Sequence, residues 1–213
     1  MSSVFALLGN VIYIALALLA LWGAFCVIVV WRRVGQTRFS SEEEQEEFLD
    51  RLDENLISGD FKAATEMCDQ DDRAMAQLGL LAVTNRDMGY RKIRTIITDR
   101  FQRDVLADLE YRLSWVNTVI KSAPMVGLLG TVMGMMGAFA TLAGGGSNID
   151  PSTLAKDISF ALITTACGLS IAIPLVLSTA YINVRIRKLE DLVGVGMTRL
   201  LETMKAIITK TGG

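Results

Sequence analysis

Residues 122–149 read SAPMVGLLGTVMGMMGAFATLAGGGSNI, a stretch without one charged side chain. Two more uncharged stretches of similar length run from Val4 to Trp31 and from Ile158 to Val184. A helix needs about 20 apolar residues to cross the hydrocarbon core of a bilayer, whereas the core of a soluble domain has no use for three such runs. The sequence therefore predicts an all-α integral membrane protein with three transmembrane helices.

Basic residues mark one end of each predicted span. They follow the first and third spans and precede the second: Arg32, Arg33, Arg38, Lys121, Arg185, Arg187 and Lys188. Because Lys and Arg are enriched in cytoplasmic loops, these ends should be cytoplasmic and the N-terminus should lie outside. Met1 to Phe5 carries no positive charge, so we interpret the first run as a span rather than a cleavable signal peptide.

The chain between the first two spans is strongly charged. It has 14 basic and 18 acidic residues at 32–121, a balance that argues against nucleic-acid binding. Ser41 and Glu44 form a Ser-x-x-Glu capping box at the start of a helix. From about Asp87, apolar residues recur every three or four positions, and a near-heptad pattern follows the third span. Two of the spans are therefore predicted to be extended by long cytoplasmic helices.

Glycines line one face of the second predicted span: Gly127, Gly130, Gly134 and Gly137. Small residues at this spacing let two membrane helices approach closely, because their backbones can touch. This spacing fits ordinary packing within one chain and equally fits packing against a partner or around a pore. Gly168 and Pro174 of the third span belong to the same group of candidate packing residues.

Polar side chains inside the spans form a candidate ion pathway, namely Thr131, Thr164, Thr165 and, at the outer edge, Asp157. Each hydroxyl could instead bond to its own helix backbone. No Asp or Glu lies in the middle of any predicted span, although an ion relay normally needs a charged or titratable group at that depth. If ions are conducted, the carboxylate should come from a partner helix.

Several kinds of chemistry find no support in the sequence. The chain has no histidine, its three cysteines fall in separate segments, and no cluster has convincing metal-site spacing. We therefore expect no metal, no cofactor and no enzyme activity.

Two motifs carry a family resemblance. The segments APMVGLLGTVMG at 123–134 and ALITTACGLSIAIP at 161–174 resemble the ExbB/TolQ/MotA proton-channel family, and ExbB most closely. The resemblance extends over nearly the whole chain, including GDFKAA at 59–64. It implies a homo-oligomer in the bacterial inner membrane, a pentamer in ExbB-type complexes. This ring would surround a dimer of ExbD- or TolR-like single-span partners, each bringing a membrane aspartate.

The resemblance also implies roles for single residues. Thr131 and Thr165 match the threonines that the family places facing the pore. Many ExbB and TolQ chains carry a glutamate five residues before the second threonine, and here that position is Phe160. Asp157, one turn earlier, could replace that glutamate only in part.

The expected organisation is a transmembrane helix at 1–31 with a periplasmic N-terminus, a cytoplasmic helical domain at 32–121, a transmembrane helix at 122–143, a short periplasmic loop at 144–156, a transmembrane helix at 157–184 and a cytoplasmic helix at 185–213. The expected function is that of a stator subunit in a proton-driven motor that powers TonB-dependent uptake, with a TonB-like protein among its partners. A TolQ-like motor subunit and a membrane scaffold that conducts no ions are the alternatives.

Overall fold

The computed structural model describes residues 2–144 and 151–211, and these residues form helices joined by short turns. The α-helices are α1 (Ser2–Thr37), α2 (Glu42–Ser58), α3 (Phe61–Asp69), α4 (Ala74–Thr84), α5 (Tyr90–Arg100), α6 (Ala107–Gly144) and α7 (Pro151–Thr211). A short 3₁₀ helix, Arg86–Met88, and a π-helical segment, Phe101–Leu106, complete the set within the described residues. The predicted all-α fold is confirmed.

Three helical segments are long and apolar enough to cross a membrane: Gly9–Thr37, Tyr90–Ala143 and Pro151–Thr209. Each overlaps one of the three uncharged stretches of the sequence, so the predicted number of spans is confirmed. Helix α7 has 61 residues, which at 1.5 Å per residue makes it about 90 Å long. Because a bilayer core takes only about 20 of those residues, most of α7 must lie outside the hydrocarbon.

The third long helix starts earlier than the sequence indicates. Residues 151–156 were expected to form part of a loop, but α7 already begins at Pro151. Proline is favoured in the first turn of a helix, where its missing N–H has no intrahelical partner to lose. The rest of the predicted loop, residues 145–150, lies outside the described residues.

The helix expected from about Asp87 begins instead at Tyr90. Gly89 has φ 81° and ψ 153°, a conformation that L residues with a side chain rarely adopt and that interrupts the helix. The π-helical segment then separates α5 from α6. A π-helix places more residues in each turn, but the predicted apolar stripe continues beyond it. Ile93, Ile97, Phe101, Leu109 and Leu113 are buried, and Val105, inside the π-helical segment, is half-buried.

The chain divides into two compact units, and the first comprises Met1–Val29 and Arg112–Tyr181. Its core includes Val116, Val119 and Leu175, with residues of α1 packed against them. A Cβ built at Gly23 of α1 would lie 2.7 Å from Leu175 Cδ1, so a larger residue there would require the Leu175 side chain to shift. Apolar segments of α1, α6 and α7, which are distant in sequence, thus pack together in this unit.

The second unit comprises Val30–Tyr111 and Ile182–Gly213. The predicted capping box starts its helix α2, where the backbone N–H of Glu44 donates to Ser41 Oγ at 3.2 Å. The Glu44 carboxylate in turn accepts from the backbone N–H of Ser40, one residue before the cap, at 2.9 Å. Hydrogen bonds from the Arg73 guanidinium and from Ser40 hold the pKa of Glu44 below its usual range.

The near-heptad stripe of α7 lies in this second unit and packs against α2 and α4. Leu189, Val193, Leu200 and Met204 are buried. Gln45 Nε2 of α2 donates to the Leu192 carbonyl at 2.7 Å. The Arg199 guanidinium donates to Asp53 Oδ2 at 2.8 Å and also pairs with Asp50, and hydrogen bonding to Asp50 raises the pKa of Arg199. Polar contacts therefore fix the apolar packing in one register.

The core of the second unit contains a thiol that can report on unfolding. Cys68 is fully buried, and this desolvation, with the nearby Asp71 charge, raises its pKa to about 12. Because only the thiolate is nucleophilic, Cys68 is expected not to react with iodoacetamide at pH 8 while the protein is folded. Mass spectrometry after alkylation with and without denaturant would check this, and rapid labelling of Cys68 in the native protein would contradict the described core.

Candidate functional site

Helices α6 and α7 approach each other closely along the predicted glycine face. A Cβ built at Gly134 would lie 2.8 Å from the Ala161 Cβ and 2.8 Å from the Asp157 carbonyl oxygen. At Gly127 it would lie 2.8 Å from the Thr164 carbonyl oxygen. These distances are shorter than real Cβ contacts, so the two backbones touch where glycine removes the side chain.

Glycines of both helices contribute to this contact. A Cβ on Gly168 of α7 would lie 2.6 Å from the Ala123 carbonyl oxygen and 3.2 Å from the Pro124 Cα. At Gly130 of α6 it would overlap the Thr164 side chain. Proline at 124 has no N–H to donate to the Ile120 carbonyl one turn earlier, and the Gly168 backbone lies beside Pro124 itself.

Two hydroxyl groups meet at the centre of this contact. The side chains of Thr131 and Thr165 form a hydrogen bond to each other across the two helices. Thr165 Oγ1 lies 3.1 Å from the Gly127 carbonyl oxygen, and Thr131 Oγ1 lies 3.2 Å from the Ala161 carbonyl oxygen. Each threonine thus reaches the backbone of the opposite helix, and both side chains are half-buried.

The number of hydroxyl protons limits how these bonds can be made. Each threonine has one O–H, and the pair has three acceptors in reach: the other hydroxyl, the Gly127 carbonyl and the Ala161 carbonyl. If Thr131 donates to Thr165, then Thr165 donates to Gly127; if Thr165 donates to Thr131, then Thr131 donates to Ala161 or, at 3.4 Å, to the Gly127 carbonyl of its own helix. The bond between the two hydroxyls can therefore run in either of two directions with the same heavy-atom positions.

The other two residues of the predicted ion pathway lie in different surroundings. Thr164 is fully buried against Gly130, and its hydroxyl donates to the Ala161 carbonyl of its own helix at 2.9 Å. Asp157 is half-buried, and its Oδ2 would be 3.4 Å from a Cβ on Gly137. The tight contact of Gly134 with Ala161 separates Asp157 from the Thr131–Thr165 pair. The structure therefore joins two of the four residues by a direct hydrogen bond, and Thr164 shares the Ala161 carbonyl with Thr131.

Phe160 faces away from this contact. Its ring packs edge-on against Tyr13 of α1 with the ring centroids 5.6 Å apart. A Cβ on Gly9 of α1 would lie 3.2 Å from Phe160 Cε2. At this position, where the family resemblance implies a glutamate, Phe160 instead packs α7 against α1.

Pro174 lies on an exposed side of α7, unlike the glycines. Its carbonyl accepts a hydrogen bond from Ser178 Oγ at 2.8 Å. Because proline has no N–H, it cannot bond to the carbonyl of Ser170 one turn earlier. This proline therefore belongs to the exposed surface of the described chain rather than to the α6–α7 contact.

Sequence reasoning missed Ala123 and Ala161, which supply the carbonyl oxygens that face Gly168 and Thr131. Both are small residues on the same helix face as a residue that was predicted. Ala161 lies one turn before Thr165, and Ala123 lies one turn before Gly127. It also missed Gly9, which allows Phe160 to approach α1. Among the described residues, no group of three His, Cys, Asp or Glu side chains could hold a metal ion.

The fold and the site define a helical membrane protein whose second and third apolar helices meet at glycines and at a pair of hydroxyl groups. A family model described as the MotA/TolQ/ExbB proton channel family matches residues 68–193. Because this match covers more than half of the sequence, the chain belongs to that family. The predicted family membership is confirmed, and the family is one of proton channels rather than of enzymes.

Individual known proteins are similar over parts of their length. A putative biopolymer transport protein ExbB homolog of Methanothermobacter thermautotrophicus is 29% identical over 181 residues, 84% of this chain and 61% of that protein. A putative biopolymer transport protein ExbB-like 2 of Helicobacter pylori is 42% identical over 96 residues, 45% of this chain and 60% of that protein. The chain thus spans about three-fifths of the length of these relatives.

A relative with another name is similar over a shorter stretch. The Tol-Pal system protein TolQ of Haemophilus influenzae is 37% identical over 86 residues, which make up 40% of this chain and 37% of that protein. Relatives named ExbB and TolQ are therefore both similar to this chain.

Proposed function

We propose that this chain is a stator subunit of a proton-driven motor in the bacterial inner membrane, and that it powers TonB-dependent uptake in the manner of ExbB. Its copies assemble into a homopentamer around a dimer of ExbD-like single-span partners. The N-terminus and the short loop before α7 are periplasmic, and the second unit is cytoplasmic. The partner transmits the work to a TonB-like protein, and the chain performs no covalent catalysis.

The Thr131–Thr165 pair carries this proposal. Here two side-chain hydroxyls from different helices bond to each other, and both side chains are half-exposed in a single chain. The three uncharged stretches contain no carboxylate. A partner aspartate placed beside the pair would supply the titratable group that proton transfer through a membrane requires.

The two arrangements of hydroxyl protons suit this role. One hydroxyl can turn its O–H toward a partner carboxylate while the other keeps one cross-helix hydrogen bond. A carboxylate that alternates between its charged and neutral forms needs donors in the first form and acceptors in the second. A threonine pair can meet both needs without moving either helix.

Co-purification tests the assembly. The chain is expressed alone and with a single-span partner whose span carries an aspartate, and native mass spectrometry gives the stoichiometry in detergent. A ring of several chains that takes up two partners is the expected result. A monomer, or an oligomer that excludes the partner, would favour a membrane scaffold that conducts no ions.

A TolQ-like role in envelope integrity is the second candidate, and the similarity to TolQ of Haemophilus influenzae favours it. The two candidates differ in the partner. Selective uptake of a TolR-like rather than an ExbD-like partner in the same native mass experiment would support the TolQ-like role.

A further inference from the structure

One side of α2 is strongly acidic. Six exposed side chains form this acidic face, namely Glu42, Glu43, Glu46, Glu47, Asp50 and Glu54. At 100° per residue they occupy an arc of about 140° on the helix. The opposite side of α2 is buried in the second unit through Phe48, Leu49, Leu52 and Leu56. The acidic face is therefore turned away from the core of its own unit.

A basic face lies on α5 and the π-helical segment that follows it. It consists of Arg91, Lys92, Arg94 and Arg103, all exposed, with Asp99 among them. Within the described part of the chain, none of these four basic side chains takes part in an ion pair. Arg91 and Lys92 lie in the first turn of α5, which contains no acidic residue. The helix dipole is positive at that end, so both charges lack the compensation that an anion would give.

The two faces match in length as well as in charge. Glu43 and Glu54 are about 17 Å apart along the axis of α2, and Arg91 and Arg103 about 18 Å apart along theirs. Most of the acidic face also lacks a cation, since Glu42, Glu43, Glu46 and Glu54 have no ion pair among the described residues. The exceptions are Glu47, paired with Arg51 of the same helix, and Asp50, paired with Arg199.

We propose that the acidic face of one copy of this chain docks on the basic face of a second copy. Because the two faces are different surfaces of the same unit, the contact is head-to-tail, and repeating it closes into a ring if the rotation between copies permits. Complementary charge then determines the order and register of neighbouring copies, and it contributes less to the affinity between them. The proposal rests on the homo-oligomer of the proposed function and assigns two of its contact surfaces.

Disulfide cross-linking tests this contact. A chain carrying both Glu46→Cys and Arg94→Cys, oxidised with copper phenanthroline in the detergent-purified complex, is expected to give a ladder of dimers, trimers and higher species. A mixture of the two single variants is expected to give dimers only, because each chain then carries a single introduced cysteine and can form one cross-link. Neither single variant should cross-link with itself. The unsubstituted chain, with Cys68 buried and Cys26 and Cys167 half-buried, gives the background.

Two results would overturn the contact. Dimers formed by Glu46→Cys alone would show that acidic faces meet each other. The second result concerns an oligomer that native mass spectrometry shows to be intact. If the chain with Glu46→Cys and Arg94→Cys gave no ladder, but a chain with Asp72→Cys and Arg94→Cys did, another surface would lie against α5. In both cases the oligomer, and with it the proposed function, would stand. If the unsubstituted chain formed no oligomer at all, that result would instead contradict the proposed function.

Discussion

Gly168→Ala is expected to destabilise the protein by about 2–3 kcal/mol, because overpacking a close helix contact forces the backbone to move. A Cβ at this position would lie 2.6 Å from the Ala123 carbonyl oxygen and 3.2 Å from the Pro124 Cα, and both of these are backbone atoms. No flexible side chain can turn aside to relieve the overlap. Helix α7 would have to move away from α6, and the Thr131–Thr165 hydrogen bond would lengthen or break.

Gly194→Ala in the same helix is the matched control. No atom lies within 4 Å of a Cβ at Gly194, so the substitution removes only the entropic disadvantage of glycine and should stabilise the helix by about 1 kcal/mol. Thermal unfolding of both variants in one detergent measures the difference. Equal midpoints for the two variants would show that α6 and α7 do not touch at Gly168.

Thr165→Val is expected to reduce proton flux through the complete complex by a factor of about 10 or more, which corresponds to one lost transition-state interaction of at least about 1.4 kcal/mol. Valine keeps the shape of threonine, and the lost hydrogen bond should lower stability by only about 1 kcal/mol. The ring should therefore still assemble with its partner. Flux into liposomes under an imposed pH gradient, beside native mass spectrometry of the same sample, measures both effects.

Two variants control for this substitution. Thr165→Ser keeps the hydroxyl and should restore most of the flux. Thr164→Val removes a hydroxyl that bonds to its own helix in a fully buried position, and its flux should stay near that of the unsubstituted complex. If Thr164→Val and Thr165→Val lowered flux equally, or if Thr165→Val failed to assemble, Thr165 would be a packing residue.

The sequence was sufficient to predict features that depend on local pattern. A run of about 20 or more uncharged residues satisfies all its backbone hydrogen bonds in lipid when it forms a helix, so the three spans follow from composition and length. The Ser41 cap follows from the spacing of a hydroxyl and a carboxylate along one turn. The glycine face of the second span predicted a close contact, and the structure shows that α7 of the same chain makes it. The spacing alone could not identify that helix.

Other features depend on neighbours that are distant in sequence. Gly89 delays the start of the expected helix to Tyr90 through its backbone conformation, and the π-helical segment leaves Val105 of the predicted apolar stripe half-buried. All four polar residues of the predicted pathway lie on two helices, but only Thr131 and Thr165 meet, because the approach of Gly134 to Ala161 separates Asp157 from them. Phe160 could be assigned to the contact with α1 only once Gly9 and Tyr13 were seen beside it.

Proton flux into liposomes is the most direct test of the central claim that the Thr131–Thr165 pair serves a carboxylate supplied by a partner. The complete complex should acidify the lumen under an imposed gradient, whereas the chain alone, and the complex whose partner carries Asp→Asn in its span, should not. Flux from the chain alone would show that the pathway needs no outside carboxylate. Equal flux with and without the partner's aspartate would contradict the account.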